Sequence, residues 1–173
     1  MKKKIIVLAI SFLLIATATT ALAAENDKST KPKGIISINP AGLLTGGISG
    51  AYEVPLDNSK SVKLGGTLIH YSSGVSSVTG FGGSAELRYY NENNAPEGFH
   101  FGPNGGLLTI EEITGITVGG SAGYQWIIED NFAVDLYAGA QYFLGNVDTG
   151  TDYENLGFSG ISPSFGVSLG YKF

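Results

Sequence analysis

The chain has 173 residues, no cysteine and a formal charge of −5, from fifteen acidic and ten basic residues. That length suits one domain, and the missing cysteines exclude a disulfide framework. The missing basic excess excludes a nucleic-acid partner, because phosphate contacts need clustered Lys and Arg.

The first element is a basic start, Lys2-Lys3-Lys4, followed by an uncharged apolar run over 5–16. Ala21-Leu22-Ala23 then places small residues where a signal peptidase reads. Residues 1–23 are therefore expected to be a cleaved secretory signal peptide; the apolar run is short for a membrane span. Cleavage removes three lysines, leaving seven basic against fifteen acidic residues and a formal charge of −8. Residues 24–33 are polar and read as a flexible leader.

From residue 34 the pattern alternates with period two and shows no sustained helical period. Eight strands are predicted, over 34–39, 43–54, 62–71, 79–90, 98–109, 114–128, 132–144 and 160–173. Asn39-Pro40-Ala41-Gly42 makes the first turn. Short polar turns are expected at 55–61, 91–97 and 129–131, and longer connections near 72–78, 110–113 and 145–159. Short turns on one side and long loops on the other is the arrangement of outer-membrane barrels. The predicted fold is all-β: an eight-stranded antiparallel up-and-down transmembrane barrel over 34–173.

Splitting each strand by parity separates two faces. The second strand sends Ile48, Tyr52 and Val54 one way and Ser49 and Glu53 the other. In the seventh, Val134, Leu136 and Ala138 oppose Asp135, Tyr137 and Gln141. A soluble sandwich also alternates, so parity alone does not decide the environment. The placement of charges and rings says more. Glu53, Lys63, Glu86, Arg88, Asp135 and Lys172 share the polar face, with His100 and Gln125 near the same level. Tyr52, Tyr89, Phe99, Trp126, Phe132, Tyr171 and Phe173 share the apolar face, at the strand ends nearest the short turns. The rings form an expected periplasmic aromatic girdle. The charges form an expected lumen ionic network, paired because an unpaired buried charge costs several kcal/mol, about 3–5.

The chain ends Gly166-Val167-Ser168-Leu169-Gly170-Tyr171-Lys172-Phe173. A terminal Phe after alternating apolar residues resembles the assembly signal of bacterial outer-membrane barrels. Over 34–173 the chain resembles the small eight-stranded class that includes the OmpA barrel and OmpX. Arg88-Tyr89-Tyr90 with Pro96-Glu97-Gly98-Phe99 also resembles an uncharacterised family of small outer-membrane barrels. The resemblance implies the bacterial outer membrane as location. It implies lipid and lipopolysaccharide as neighbours and barrel assembly machinery as the partner of the strand ending in Phe173. It implies no particular activity and no cofactor, and the chain is expected to be a monomer.

Three constellations bear on chemistry. The lumen charges fit either a plug or a narrow porin-like channel; an eight-stranded interior is only just wide enough for side chains, which favours the plug. His70 and Ser72 lie two apart on one strand, so an imidazole could activate a hydroxyl. That pair resembles the His-x-Ser of lipid A deacylase barrels. Ser73 stands where that family has Asn, however, and Glu86, the nearest downstream acid, faces inward. No catalytic role is expected. Glu111, Glu112, Asp148, Asp152 and Glu154 make an acidic surface without regular calcium-loop spacing, read as a solvated loop with no metal. The resulting expectation is a structural or interaction protein, with a channel, a lipid-modifying enzyme or a loop-borne adhesin as rivals.

Overall fold

The computed structural model describes residues 34–173 apart from 74–75, 112 and 148–155, and apart from the side chains at 44–45, 73, 76, 146–147 and 156–158. The expected signal peptide and leader fall outside the described residues. Eight antiparallel strands close into one barrel in chain order. They are β1 (Ile35–Asn39), β2 (Gly47–Pro55), β3 (Lys60–Ser73), β4 (Ser76–Tyr90), β5 (Gly98–Ile110), β6 (Ile113–Ile128), β7 (Phe132–Val147) and β8 (Leu156–Lys172). The expected all-β up-and-down barrel is thus the observed fold.

The register fixes the barrel's shape. From Ile35, successive partners run through Glu53, Lys63, Glu86, Asn104, Gly119 and Gln141 to Ser162. Closure instead sets Ile35 opposite Lys172, ten residues from Ser162. A ten-residue stagger over eight strands tilts them by roughly 40° and leaves an interior that side chains can fill.

Strand ends depart from the sequence expectation most clearly at the start of the second strand and at two connections. The second strand begins at Gly47, not at 43, because Pro40–Thr45 forms a 3-10 helix. The Asn39 side chain accepts the Ala41 N–H at 3.0 Å, Pro40 needs no donor partner at the helix start, and Gly46 at φ +76° ends the helix. The expected contrast of short turns and long loops also fails for two connections. β3 and β4 pair out to Ser73 and Ser76, and β5 and β6 out to Ile110 and Ile113. Serines and β-branched residues there continue the ladder, so the connections shrink to 74–75 and 111–112, shorter than the turn at 91–97 on the opposite rim.

The two faces sort as inside and outside. Large apolar side chains cover the outer wall, up to 80% exposed at Ile161 and Phe165. Among the described residues the buried hydrophobics are only Ile35, Tyr90 and Ala133, whereas Glu53, Lys63, Arg88, His100, Gln125 and Asp135 are buried. The interior is polar and the exterior apolar, the reverse of a water-soluble core.

Candidate functional site in the barrel lumen

Cross-strand partners in an antiparallel sheet point to the same face. Glu53 pairs with Lys63, Lys63 with Glu86, and Gln125 with Asp135, so β2, β3, β4, β6 and β7 all deliver their charges to the lumen. Their parity was readable from sequence. The contacts they make across the lumen were not.

Arg88 is the hub, with no exposed surface. Its Nη1 donates to Glu53 at 3.2 Å and to the Gln125 carbonyl at 3.4 Å, and its Nη2 donates to Asp135 at 2.8 Å. Its Nε lies 3.1 Å from Glu86. That N–H is not aimed well enough to form a hydrogen bond, so this is a charge contact. Arg88 lies in a stretch where the β4–β5 ladder is interrupted, between Glu86↔Asn104 and Tyr89↔Phe101. Pro103 has no N–H to offer there. Gly102 lets the strands close up, since a Cβ at that position would run into the Leu87 carbonyl oxygen.

Each acid has its own donors. Glu53 accepts from Tyr90 Oη at 2.6 Å, from the Ser61 hydroxyl, and from Gln125 at 3.3 Å. Asp135 accepts from Lys63 Nζ at 2.8 Å and from His100 Nε2 at 2.9 Å. Glu86 accepts from the Ser121 hydroxyl at 2.6 Å and keeps 14% of its side chain exposed. Gln125 also donates to the Pro96 carbonyl, tying the 91–97 turn to the network. That turn is further tied to its neighbour by the Ala95 N–H, which donates to Asn58 at 2.7 Å.

The structure thus joins six of the seven expected network residues: Glu53, Lys63, Glu86, Arg88, His100 and Asp135. Lys172 faces inward by register but sits at the rim, where its backbone N–H donates to Asn131 at 2.7 Å. Among the described residues its Nζ has no ion-pair partner. Tyr90 and Ser61 belong to the network and were missed. Tyr90 shares parity with Arg88, and that signal would have found it.

Above the network, away from the rim that carries the 56–59, 91–97 and 129–131 turns (the short-turn rim expected from the sequence), the lumen opens into a polar cavity of about 180 Å³. Lys63, Glu86 and Arg88 form its floor, and Asn39, Ser49, Asn104 and Ser164 are among its walls. Such a volume holds several waters.

The girdle residues all lie on the outer wall near the short-turn rim. Tyr52 stacks on Phe173 with centroids 6.2 Å apart, and Tyr89 stacks on Phe101 at 5.9 Å. Trp126 packs on Tyr124 at 4.7 Å. Phe99, Phe132 and Tyr171 are exposed.

His70 and Ser72 also lie on the outer wall, near the opposite rim. His70 Nδ1 is 3.1 Å from the Thr79 hydroxyl on the paired strand. Glu86 points into the lumen, so His70 has no orienting acid from that residue. Among the described residues no group of three or more His, Cys, Asp or Glu could hold a metal ion. Glu112, Asp148, Asp152 and Glu154 fall outside the described residues. Comparison with known protein families, curated proteins and solved structures finds no match.

Proposed function

We propose that the chain is an integral outer-membrane β-barrel with a structural or interaction role, its lumen closed by the Arg88-centred network. One observation carries this reading: apolar residues cover the outside of the barrel while ionised groups fill the inside. Phe165 and Ile161 at 80% exposure would be costly in water and are at home in acyl chains. A closed barrel also satisfies its backbone groups where no water can. Most strands exceed the 9–11 residues, roughly, that cross a bilayer when tilted.

The further assignments belong to the same reading. The aromatic rim lies at the periplasmic interface, lipid and lipopolysaccharide surround the wall, and the assembly machinery engages β8 and Phe173. The chain acts as a monomer without catalysis. In support, His70 is bonded to Thr79 rather than to Ser72.

The test is fractionation followed by gel mobility with and without boiling. The reading requires the protein in the outer-membrane fraction and a shift on heating, because closed barrels resist detergent until heated. A periplasmic protein with no shift sinks it. Planar-bilayer recording then separates plug from channel. The plug predicts no discrete conductance in the wild type, and steady unitary currents would favour the porin-like rival.

A further inference from the structure

The sorting of the two faces reverses toward the rim opposite the short turns. On β3–β6 the outer wall is apolar up to Leu68, Phe81, Leu107 and Ile116. The next outward positions hold His70, Thr79, Thr109 and Thr114. His70 lies 3.1 Å from the Thr79 hydroxyl, and the Thr109 and Thr114 hydroxyls lie 3.4 Å apart, so this collar is polar. The inward positions near the same height change the other way. Ile69, Val78, Leu108, Ile110, Ile113 and Phe143 share the parity of the network residues on their own strands and face the lumen. The β3–β4, β5–β6 and β6–β7 ladders run pair for pair, and the β4–β5 register is the same on both sides of its interruption, so no bulge exchanges the faces. The top of the barrel is thus polar outside and apolar inside, as a water-soluble barrel is.

This apolar cup is open. None of its six side chains is among the buried hydrophobics, and Val78 and Ile113 each keep 37% of their surface exposed. Ile110 and Phe143 lie across Gly80 and Gly115 on the neighbouring strands, where a Cβ would run into them. Their bulk therefore rests against the wall and leaves the middle clear.

Below, the cup continues into the polar cavity. Thr67 and Gln141 line that cavity, and Ile69 and Phe143 are the next inward side chains above them. From Ile110 down to Asn104 is roughly 15 Å along the barrel axis at the strand tilt. The cavity wall is rich in hydroxyls and amides, and the Ser164 hydroxyl oxygen is enclosed there without a hydrogen-bond partner. The ions on its floor are already matched. Lys63 is held by Asp135, Glu86 by Arg88 and Ser121, and Arg88 by three carboxylates. A charged end group would find no free counter-charge. A second copy of the barrel presents convex walls, which do not enter a concave mouth.

We propose that the upper lumen is a binding cup for a slender, uncharged amphiphile of medium length, a long-chain alcohol in chemical class. Its chain lies against the six apolar side chains. Its hydroxyl end reaches Ser164, Asn104 and Gln141 in the cavity. This rests on the membrane reading, because the bilayer covers the apolar outer wall and leaves the collar and mouth in water.

The test uses the full chain refolded and placed in phospholipid nanodiscs, with folding checked by the heat-dependent gel shift. Decanol is titrated while NMR follows the methyl groups of Ile69, Ile110 and Ile113 and the side-chain amides of Asn104 and Gln141. The expected result is a saturable shift at both sets, with only a non-saturating drift at the outer-wall methyls of Leu68 and Leu107. Decylammonium and decanoate should bind at least about tenfold more weakly, since a charge taken out of water without a free partner is penalised. Ile110→Asn, which makes the lining polar, and Val78→Trp, which fills the mouth, should each abolish saturation. Ile69→Asn replaces Ile110→Asn if that variant does not refold. Thr114→Asn, on the outer collar, should keep the response. No saturable shift in folded wild type overturns the proposal, as does equal binding of either charged probe. A response that survives both lining variants lies elsewhere and overturns it too. So does a response that emerges only when 148–155 are replaced by a Gly-Ser linker, which would make the chain's own segment the occupant. A folded barrel that fails these arms leaves the membrane reading standing, whereas a chain without the heat shift sinks that reading first.

Discussion

The two ends of the lumen are built by the same alternating strands yet are filled in opposite ways. Toward the short-turn rim, β2, β3, β4 and β7 contribute charged side chains that meet at Arg88, and little space is left. Toward the other rim the cavity is lined mainly by Ser, Thr, Asn and Gly, with Gln141 and Tyr137 among them, and space remains. The difference is one of side-chain length on a fixed scaffold. Long ionised side chains reach across the barrel and lock opposite walls together; short hydroxyls reach only a neighbour, as Ser49 reaches Thr67 at 3.0 Å. Rigidity and closure therefore belong to the lower half, and room for a ligand belongs to the upper.

The largest test of this contrast removes the hub. Arg88→Ala should leave Glu53 and Asp135 buried without their shared counter-charge, at about 3–5 kcal/mol. Gln141→Ala in the upper half loses a bond to Asn104 and should cost about 1 kcal/mol. Urea unfolding of the refolded barrels measures both. Equal costs would mean that the two halves are not mechanically distinct.

The next test concerns inside against outside. Val118 lies in the middle of β6, on the outer wall and 57% exposed. Val118→Arg should cost about 2–4 kcal/mol when the barrel is folded in lipid. A change near zero in bilayers would show that this face does not meet acyl chains.

A third, smaller effect probes one spoke of the network. Tyr90→Phe keeps the ring against His100, whose centroid is 5.5 Å away, and removes only the hydroxyl that donates to Glu53. A hydrogen bond to a charged acceptor is worth about 1.5–3 kcal/mol. If Tyr90→Phe unfolds at the wild-type urea concentration, Glu53 is held by Arg88, Ser61 and Gln125 alone.

Tyr90 also marks the limit of what the sequence made legible. Period-two alternation is local, so the strand count and the inward direction of Glu53, Lys63, Glu86, Arg88 and Asp135 could be read without coordinates. Tyr90 obeys the same parity but was obscured by neighbouring Tyr89, an outward ring. What parity cannot supply is height around the barrel. The ten-residue stagger brings Lys63 on β3 to Asp135 on β7, while Lys172, with correct parity, stays at the rim beside Asn131. Strand ends were lost for a related reason. Ser72, Ser73, Ser76 and Ser77 look like loop residues, yet cross-strand pairing continues through them. Conversely, a capped 3-10 helix replaced the expected beginning of β2. That helix shortens the wall and was invisible to an analysis of alternation alone.

The smallest effect lies on the short-turn rim itself, where the lower half meets water. Asp57 accepts the Ser59 N–H at 2.7 Å and the Ser59 hydroxyl at 2.9 Å, and Lys60 stands 3.8 Å away. These contacts, the Ser59 N–H foremost, hold the carboxyl below its ordinary value of 3.8. A lowered folded value means the turn is stabilised by the ionised form above the unfolded value and loses that support as pH falls through the folded one. The side chain is half exposed and lies on a surface turn, so solvent screens the contribution and global stability should barely respond. The readout must be local: amide exchange at Ser59, corrected for intrinsic rate, should speed up between about pH 5 and pH 3 in the wild type. Asp57→Asn cannot ionise and should remove that pH dependence while leaving the urea midpoint unchanged. If acid loosens the Ser59 amide equally in both proteins, the loss begins in the buried network above the turn, and the rim is the follower rather than the independent element its geometry describes.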